Sequence, residues 1–373
     1  MLLLLSILLC AAILYYGQDR LYRACWRKGL SVKLELSDEK AVEGSVLTLT
    51  ETVSNRKLLP LPLVHIKFVA DRSLVFEDDP HASVTDYYYR NDIMTVLSWQ
   101  RLYRTLSFTC TRRGYYTFRE LTATCGNLFF NTNQLAGFPC GKTLCVYPRY
   151  VDPSVFDPTF CRMLGSVLTR RFLNEDPFEF RSIRDYQSYD DRKSVNWKAS
   201  ARTGALKVTT HDYTAAQQVR ILINLEEFSV LRHDHLLEEG IRLAATAAAA
   251  LLNRGIQVSL LTNGRDIISR LPVSIPGGSG PGHLKTIREA LARIDLSQTA
   301  GPAAALLDRI ITETRAQDYL ILISSYQKED MKQQLRMLPG GTDSFLWIFP
   351  CEEGMDPEVG SDLSSNVILW PVI

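Results

Sequence analysis

The chain has 373 residues with 42 Lys plus Arg against 41 Asp plus Glu, a near-neutral balance that excludes the strongly basic make-up of a nucleic-acid binder. Nearly half of the side chains are hydrophobic and 22% are charged, which is globular material in a length sufficient for two domains, each with its own core. The eight cysteines form no Cys-x-x-Cys pair, so the spacing of a structural zinc site is absent and reduced thiols are expected.

Residues 1–17 are predicted to form a transmembrane anchor. Leu2 to Tyr16 is almost wholly apolar, and at 1.5 Å per residue it spans roughly 22 Å, short against a hydrocarbon core of about 30 Å. A basic juxtamembrane segment follows over residues 18–30, with Arg20, Arg23, Arg27 and Lys28. The positive charge comes after the apolar run and not before it, which argues for an uncleaved single-pass anchor in the cell membrane. The positive-inside rule then places the bulk of the chain in the cytoplasm.

Residues 31–150 alternate apolar and polar side chains in short runs broken by turn residues, among them VKLELS, SVLTLTETVS, PLVHIKFVA and LYRTLSFTC. About seven such runs predict an antiparallel, immunoglobulin-like β-sandwich with one solvated face on each sheet. Tyr87, Tyr88 and Tyr89 read as strand-edge packing.

Residues 151–215 read as a linker carrying a charged and aromatic signature, from Arg181 to Val208. From residue 216 the pattern changes to alternating strands and helices, predicting a doubly wound α/β domain over 216–373. The expected strands are VRILIN, IQVSLLT, a short one near Ile267 to Leu271, DYLILIS, SFLWIF and NVILW. The expected helices span Asp234 to Arg254, His283 to Ile294, Pro302 to Thr314 and Lys328 to Leu335. The Gly- and Pro-rich stretch PGGSGPG matches no phosphate-binding fingerprint and is expected to be a flexible connector.

The signature residues are Arg184, Tyr186, Asp190, Arg192, Val195-Asn196-Trp197-Lys198, Ser200-Ala201-Arg202, Gly204, Leu206 and Val208. In this order and spacing they resemble the bacterial family known as domain of unknown function 58, and the likeness extends upstream to Arg113-Gly114-Tyr115 and Val146-Tyr147-Pro148-Arg149. Tyr189 stands where relatives commonly carry Gly, Gly126-Asn127-Leu128-Phe129 only loosely follows their Asp-x-Phe-Gly-Leu stretch, and one apolar helix replaces their frequent two. The resemblance implies a membrane-anchored protein with a β-rich segment and a von Willebrand factor A-like α/β domain. It also implies a partner, a MoxR-type AAA+ ATPase, and work in assembly or maturation of envelope complexes.

Such α/β domains typically hold Mg²⁺ on hard oxygen ligands. At the matching positions Asn224 replaces the first Asp, Glu226 and Phe228 replace two Ser residues, Thr299 survives, and Ser325 stands near the place of the last Asp, so the expected site is degenerate and no cofactor is expected. The leading functional expectation is a non-enzymatic scaffold or adaptor, with Arg184, Tyr186, Asp190, Arg192, Trp197, Lys198, Ser200 and Arg202 forming a partner-binding or interdomain surface. In the interdomain version Trp197 packs into a groove. The alternatives are a hydrolase using Asp185, Asp190 and Ser200, for which no His lies near Ser200 before His211, and an extracellular adhesin.

Overall fold

The computed structural model describes residues 2–77, 82–84, 87–129, 133–173, 180–187, 195–211, 218–227, 232–313, 318–339, 341–352, 354, 359–360 and 362–372. These divide into two compact units, Met1–Arg149 and Tyr150–Ile373.

The first unit opens with helix α1 (Leu2–Cys25), long and apolar enough to cross a membrane. It runs well past the end of the apolar stretch, so the expected juxtamembrane segment is helical for most of its length. Tyr22 and Trp26 are buried, and the Tyr22 hydroxyl donates to Pro60 O at 2.8 Å. Gly29, at φ +69°, turns the chain into the first strand where a Cβ would come within 3.0 Å of Arg56 O.

The strands are β1 (Leu30–Leu36), β2 (Lys40–Val42), β3 (Val46–Asn55), β4 (Leu61–Asp71), β5 (Leu74–Phe76), β6 (Ala82–Val84), β7 (Tyr87–Val96), β8 (Arg101–Cys110), β9 (Gly114–Gly126) and β10 (Asn133–Tyr147). They build a four-stranded sheet, β1-β3-β8-β5, and a six-stranded sheet, β2-β10-β9-β4-β7-β6. Every pairing is antiparallel except β2 with β10. Alternation does the work foreseen for it: Leu47, Leu49 and Val53 of β3, Ile66 and Phe68 of β4, and Leu121 and Ala123 of β9 share one core. Tyr88 joins that core, stacked on Phe76 at 4.3 Å between ring centroids, while Tyr87 and Tyr89 stay on the exposed face.

One group of charges lies inside this sandwich. Asp92 of β7 is fully buried and pairs with Arg90 Nε at 2.6 Å and Arg104 Nη1 at 2.8 Å. Glu51 of β3, only 1% exposed, sits opposite Arg104 in register and within hydrogen-bond reach of Asp92. As a carboxylate neither Glu51 oxygen has a donor, whereas the protonated acid has Asp92 as acceptor. Burial first, then the Asp92 charge and that hydrogen bond, push Glu51 up to about 8.

The second unit comprises α2 (Pro153–Leu173), β11 (Phe180–Asp185), α3 (Trp197–Thr203), β12 (Lys207–His211), β13 (Gln218–Ile223), α4 (Asp234–Leu252), β14 (Gln257–Asp266), β15 (Pro272–Gly278), α5 (Gly280–Arg293), β16 (Ile294–Asp295), α6 (Ala303–Glu313), β17 (Tyr319–Ile323), α7 (Glu329–Arg336), β18 (Phe345–Cys351) and β19 (Val367–Pro371). Its main sheet has the order β15-β14-β13-β17-β18-β19, with β16 on β14. All neighbours from β14 to β19 along that path are parallel, and β15 is an antiparallel edge.

Helices cover both faces, which is why the strands read as unbroken apolar runs. Val219, Ile221 and Ile223 of β13 pack with α4 and α5, while Leu222 packs on the other face with Leu307 and Ile310 of α6 and Met331 and Leu335 of α7. The alanines of α4 let it lie close, and a Cβ on Gly240 would already press Ile323 Cγ2 at 3.3 Å.

Three expectations are corrected here. Within residues 151–215, residues 153–173 are not open linker: α2 sends Phe156 and Phe160 into the α/β core. Asp152 announces this helix, its Oδ1 accepting the Ser154 N–H at 2.8 Å ahead of Pro153 in the first turn. Ile267 to Leu271 is a turn and not a strand, because Asp266 Oδ1 accepts the N–H groups of Ile268 and Ser269 at 2.7 and 2.9 Å. PGGSGPG is no loose connector, since Pro276 to Gly278 finish β15 and Gly280 starts α5. Gly278 is required there, as a Cβ would fall 2.6 Å from the His283 ring.

Candidate functional site

The signature folds as a β-ribbon carrying a helix of about two turns. β11 and β12 pair antiparallel, with Ile183 opposite Thr209, Arg184 opposite Val208 and Asp185 opposite Lys207. Asn196 fastens α3 to the ribbon from both ends of its side chain: Oδ1 accepts the Ala199 N–H at 2.9 Å and Nδ2 donates to Thr209 Oγ1 at 2.9 Å. Ser200, the buried residue of α3, donates its hydroxyl to Asn196 O at 2.8 Å and accepts the Lys207 N–H at 2.8 Å. Gly204, left-handed at φ 70°, closes the helix on Ser200 O.

The hydroxyl that the hydrolase alternative needs is therefore committed to backbone partners. Asp185, its proposed acid, forms an ion pair with Lys207 at 2.6 Å. Arg184 Nη1 donates to Asp185 O at 3.1 Å, and the Tyr186 N–H reaches Leu206 O at 2.9 Å. Asp190 and Arg192 lie outside the described residues.

Trp197 is 69% exposed and fills no groove in its unit, because α3 is too short to bury more than the Ser200 side facing the ribbon. Ile183 and Leu206 are exposed as well. A shallow groove of about 380 Å³ runs beside them, lined by Ile183, Asn196, Lys198, Ala199, Arg202 and Lys207. The signature thus brings together an apolar-aromatic surface and two side chains, Lys198 and Arg202, that carry positive charge.

The second candidate lies at the carboxyl ends of the parallel strands, where the order reverses beside β13 and α/β sheets commonly bind ligands. Asn224 follows β13, and its Nδ2 donates to Ser324 Oγ at 2.9 Å. Its Oδ1 accepts from Asn263 Nδ2 at 2.6 Å and from the Glu226 N–H at 3.0 Å. Asn263 Oδ1 accepts the Leu225 N–H at 2.8 Å, and Trp347 Nε1 donates to Ser324 O at 2.8 Å. Glu226 Oε2 accepts the Ala303 N–H at the start of α6, at 2.6 Å.

This donor set does not fit Mg²⁺. The carboxamide oxygen that would face the ion already holds two N–H donors, Glu226 caps a helix, and a hard cation demands several free oxygens. Among the described residues no three His, Cys, Asp or Glu side chains gather as a metal group. Ser324, and not Ser325, is the residue joined to Asn224, while Thr299 lines a neighbouring cavity of about 350 Å³ together with Glu226, Glu227 and Arg232. Phe228 lies outside the described residues. Burial and the adjacent Glu226 and Asp330 carboxylates hold the phenol proton of Tyr326 more tightly than usual. Asn263 and Ser324 escaped sequence reasoning; a polar Asn at the end of an otherwise apolar strand was the available signal for the first.

The described residues define a two-unit protein, a β-sandwich with an apolar amino-terminal helix and a mixed α/β unit bearing the ribbon. Residues 182–361 match the family model described as Protein of unknown function DUF58, a span from the signature ribbon nearly to the last strand of the sheet. No curated protein matches the chain. Among solved structures, the CARDB domain of the PF1109 protein from Pyrococcus furiosus, in complex with di-metal ions, is 15% identical and covers 32% of this chain and 90% of its own, with a TM-score of 0.20. A cohesin module from a Clostridium perfringens family 33 glycoside hydrolase is 11% identical over 32% of this chain and 98% of its own, with a TM-score of 0.25. A putative membrane anchored protein from Corynebacterium diphtheriae is 15% identical over 34% of this chain and 39% of its own, with a TM-score of 0.24. At such TM-scores these likenesses carry no argument about fold or function.

Proposed function

We propose that the chain is a membrane-tethered, non-enzymatic scaffold or adaptor that engages a protein partner through the signature ribbon. The observation that carries this reading is the division of labour within α3. Asn196 and Ser200 hold the helix rigidly, while Trp197, Lys198 and Arg202 are left in solvent, which is the composition of an interface anchor and not of a core. Arg offers a planar, bidentate fork to carboxylates, so the partner surface is acidic. The family resemblance names the partner as a MoxR-type AAA+ ATPase and the α/β unit as von Willebrand factor A-like; the helix-covered sheet with β13 between β14 and β17 is in keeping with the latter.

The basic residues after the apolar run support a cytoplasmic location of the two units. The test is co-purification of the full chain with the ATPase from the same organism, comparing wild type with Arg202→Glu and Trp197→Ala. Loss of the partner at unchanged melting temperature supports the reading; retention of the partner by both variants refutes it. Topology is read separately with a membrane-impermeant thiol reagent at exposed Cys161 in a Cys10→Ser background, since Cys351 is buried. Labelling in intact cells would contradict the cytoplasmic assignment.

A further inference from the structure

The end of the β-sandwich that meets α1 carries apolar side chains that its own core does not use. Asn127, just after β9, donates from Nδ2 to Asp19 Oδ1 at 3.0 Å, holding the β9–β10 connection to the helix. The Phe129 ring lies 5.4 Å from that of Tyr15, which in turn packs edge-on against Tyr16 at 5.4 Å. Leu128 is 50% and Phe129 60% exposed. Within the loop, Asn127 Oδ1 accepts the Phe129 N–H at 3.1 Å, so the aromatic side chain is presented by a defined turn.

The position of this loop along the helix is what gives it meaning. Tyr15 and Tyr16 close the apolar run, and Gly17, Gln18, Asp19 and Arg20 follow at once, so the boundary between hydrocarbon and headgroups falls at the two tyrosines. Phe129 touches one of them. Whatever depth Tyr15 occupies, the Phe129 ring occupies it too. Exposed Arg20 and Arg23 continue the helix on its polar side and Arg27 and Lys28 follow just past its end, where headgroup phosphates lie.

We infer that Leu128 and Phe129 form a membrane-docking tip of the β-sandwich, inserting into the interfacial layer of the bilayer beside the Tyr15–Tyr16 pair. The inference rests on α1 being embedded in the membrane. It goes further in making the sandwich a second point of attachment that fixes its tilt against the lipid surface, where a helix alone would leave it free to swing. The occupant is lipid, and not a second protein, because the tip is continuous with the apolar surface of α1 and its aromatic side chains are of the kind that concentrate at headgroup depth.

The test uses the full chain reconstituted in vesicles of phosphatidylcholine with phosphatidylglycerol, in a background with Cys10, Cys25, Cys140 and Cys161 replaced by Ser. An environment-sensitive fluorophore is placed singly by Phe129→Cys, by Ala11→Cys within α1, and by Tyr103→Cys on an exposed face of β8. Spin-labelled lipids then report depth. Insertion of roughly 5–10 Å at the tip predicts about two-fold or stronger quenching at 129 by a shallow than by a deep spin label, with position 103 unquenched. Deep quenching at 11 without quenching at 129 overturns the docking tip while leaving the embedded helix standing. Absence of quenching at both 11 and 129 overturns the embedded helix, and the docking tip with it.

Discussion

Replacing Glu51 by Gln will change how the sandwich responds to pH. The groups facing Glu51 are Asp92 and Arg90 on β7, Arg104 on β8 and, through Arg90, Tyr88. The folded state holds the Glu51 proton up to about 8, against an ordinary value of 4.5. Below that lower value both folded and unfolded chains carry the proton, and the full stability is present. Between the two values only the unfolded chain ionises, so stability falls by about 1.4 kcal/mol for each pH unit and by on the order of 5 kcal/mol in all. Above the upper value the loss levels off.

Gln keeps a donor for Asp92 and cannot ionise, so the variant loses this slope. At about pH 5 it stays within roughly 1 kcal/mol of wild type, whereas at about pH 9 it is more stable by several kcal/mol. Hydrogen exchange followed by mass spectrometry on peptides from β3 and β7, corrected for the intrinsic rate at each pH, isolates this unit from the α/β unit. If protection in wild type and variant declined in parallel across that range, Glu51 would not be the titrating group and the buried acid pair would be misread.

Further predictions concern the second unit. Asn196→Ala removes the cap and both of its bonds, costing about 1 kcal/mol, and is expected to raise the rate of limited proteolysis across the ribbon. Ser200→Ala strands the Lys207 N–H and costs roughly 1–3 kcal/mol; amide exchange at Lys207 will accelerate, and any hydrolytic activity of the preparation will not change. Asn224→Asp places a carboxylate against Ser324 and Asn263 with its donor group gone, and a fall of about 2–4 kcal/mol is expected; calorimetry on wild type will show no Mg²⁺ binding. Trp197→Ala, at an exposed site, should shift thermal stability by less than about 0.5 kcal/mol.

Periodicity carried most of this architecture. The alternation through Val46 to Val53 and the unbroken apolar run from Val219 to Ile223 reported one-sided and two-sided burial respectively, and helices α4 to α7 lie within a few residues of their expected bounds. What escaped were features set by tertiary contacts. Trp197 has the composition of a core residue, yet its place in a helix of seven residues leaves no layer to cover it. Glu51 shares the inward phase of Leu47, Leu49 and Val53, yet a carboxylate in a strand with one solvated face reads as solvated; only Asp92 and Arg90 of the opposite sheet, with Arg104 beside it, reveal what receives it. In PGGSGPG, the glycines that suggest looseness serve close approach to Gln218 and His283. The α2 helix was obscured by Pro158 in its interior, although Asp152 and Pro153 mark its start.

Burial of Tyr22 and Trp26 in the sandwich core ties synthesis to location. Tyr22 sits on the same helix as the apolar run and Trp26 directly after its end, so the domain completes its interior only when α1 is in place. A chain shortened to Leu30 would be a sandwich with one end unplugged, its core opened to water where the rings had been and prone to association. A chain whose helix failed to reach a bilayer would present the apolar run and a fully assembled core together. The membrane segment is thus also a structural stopper, and changes to it should register as folding defects as readily as targeting defects.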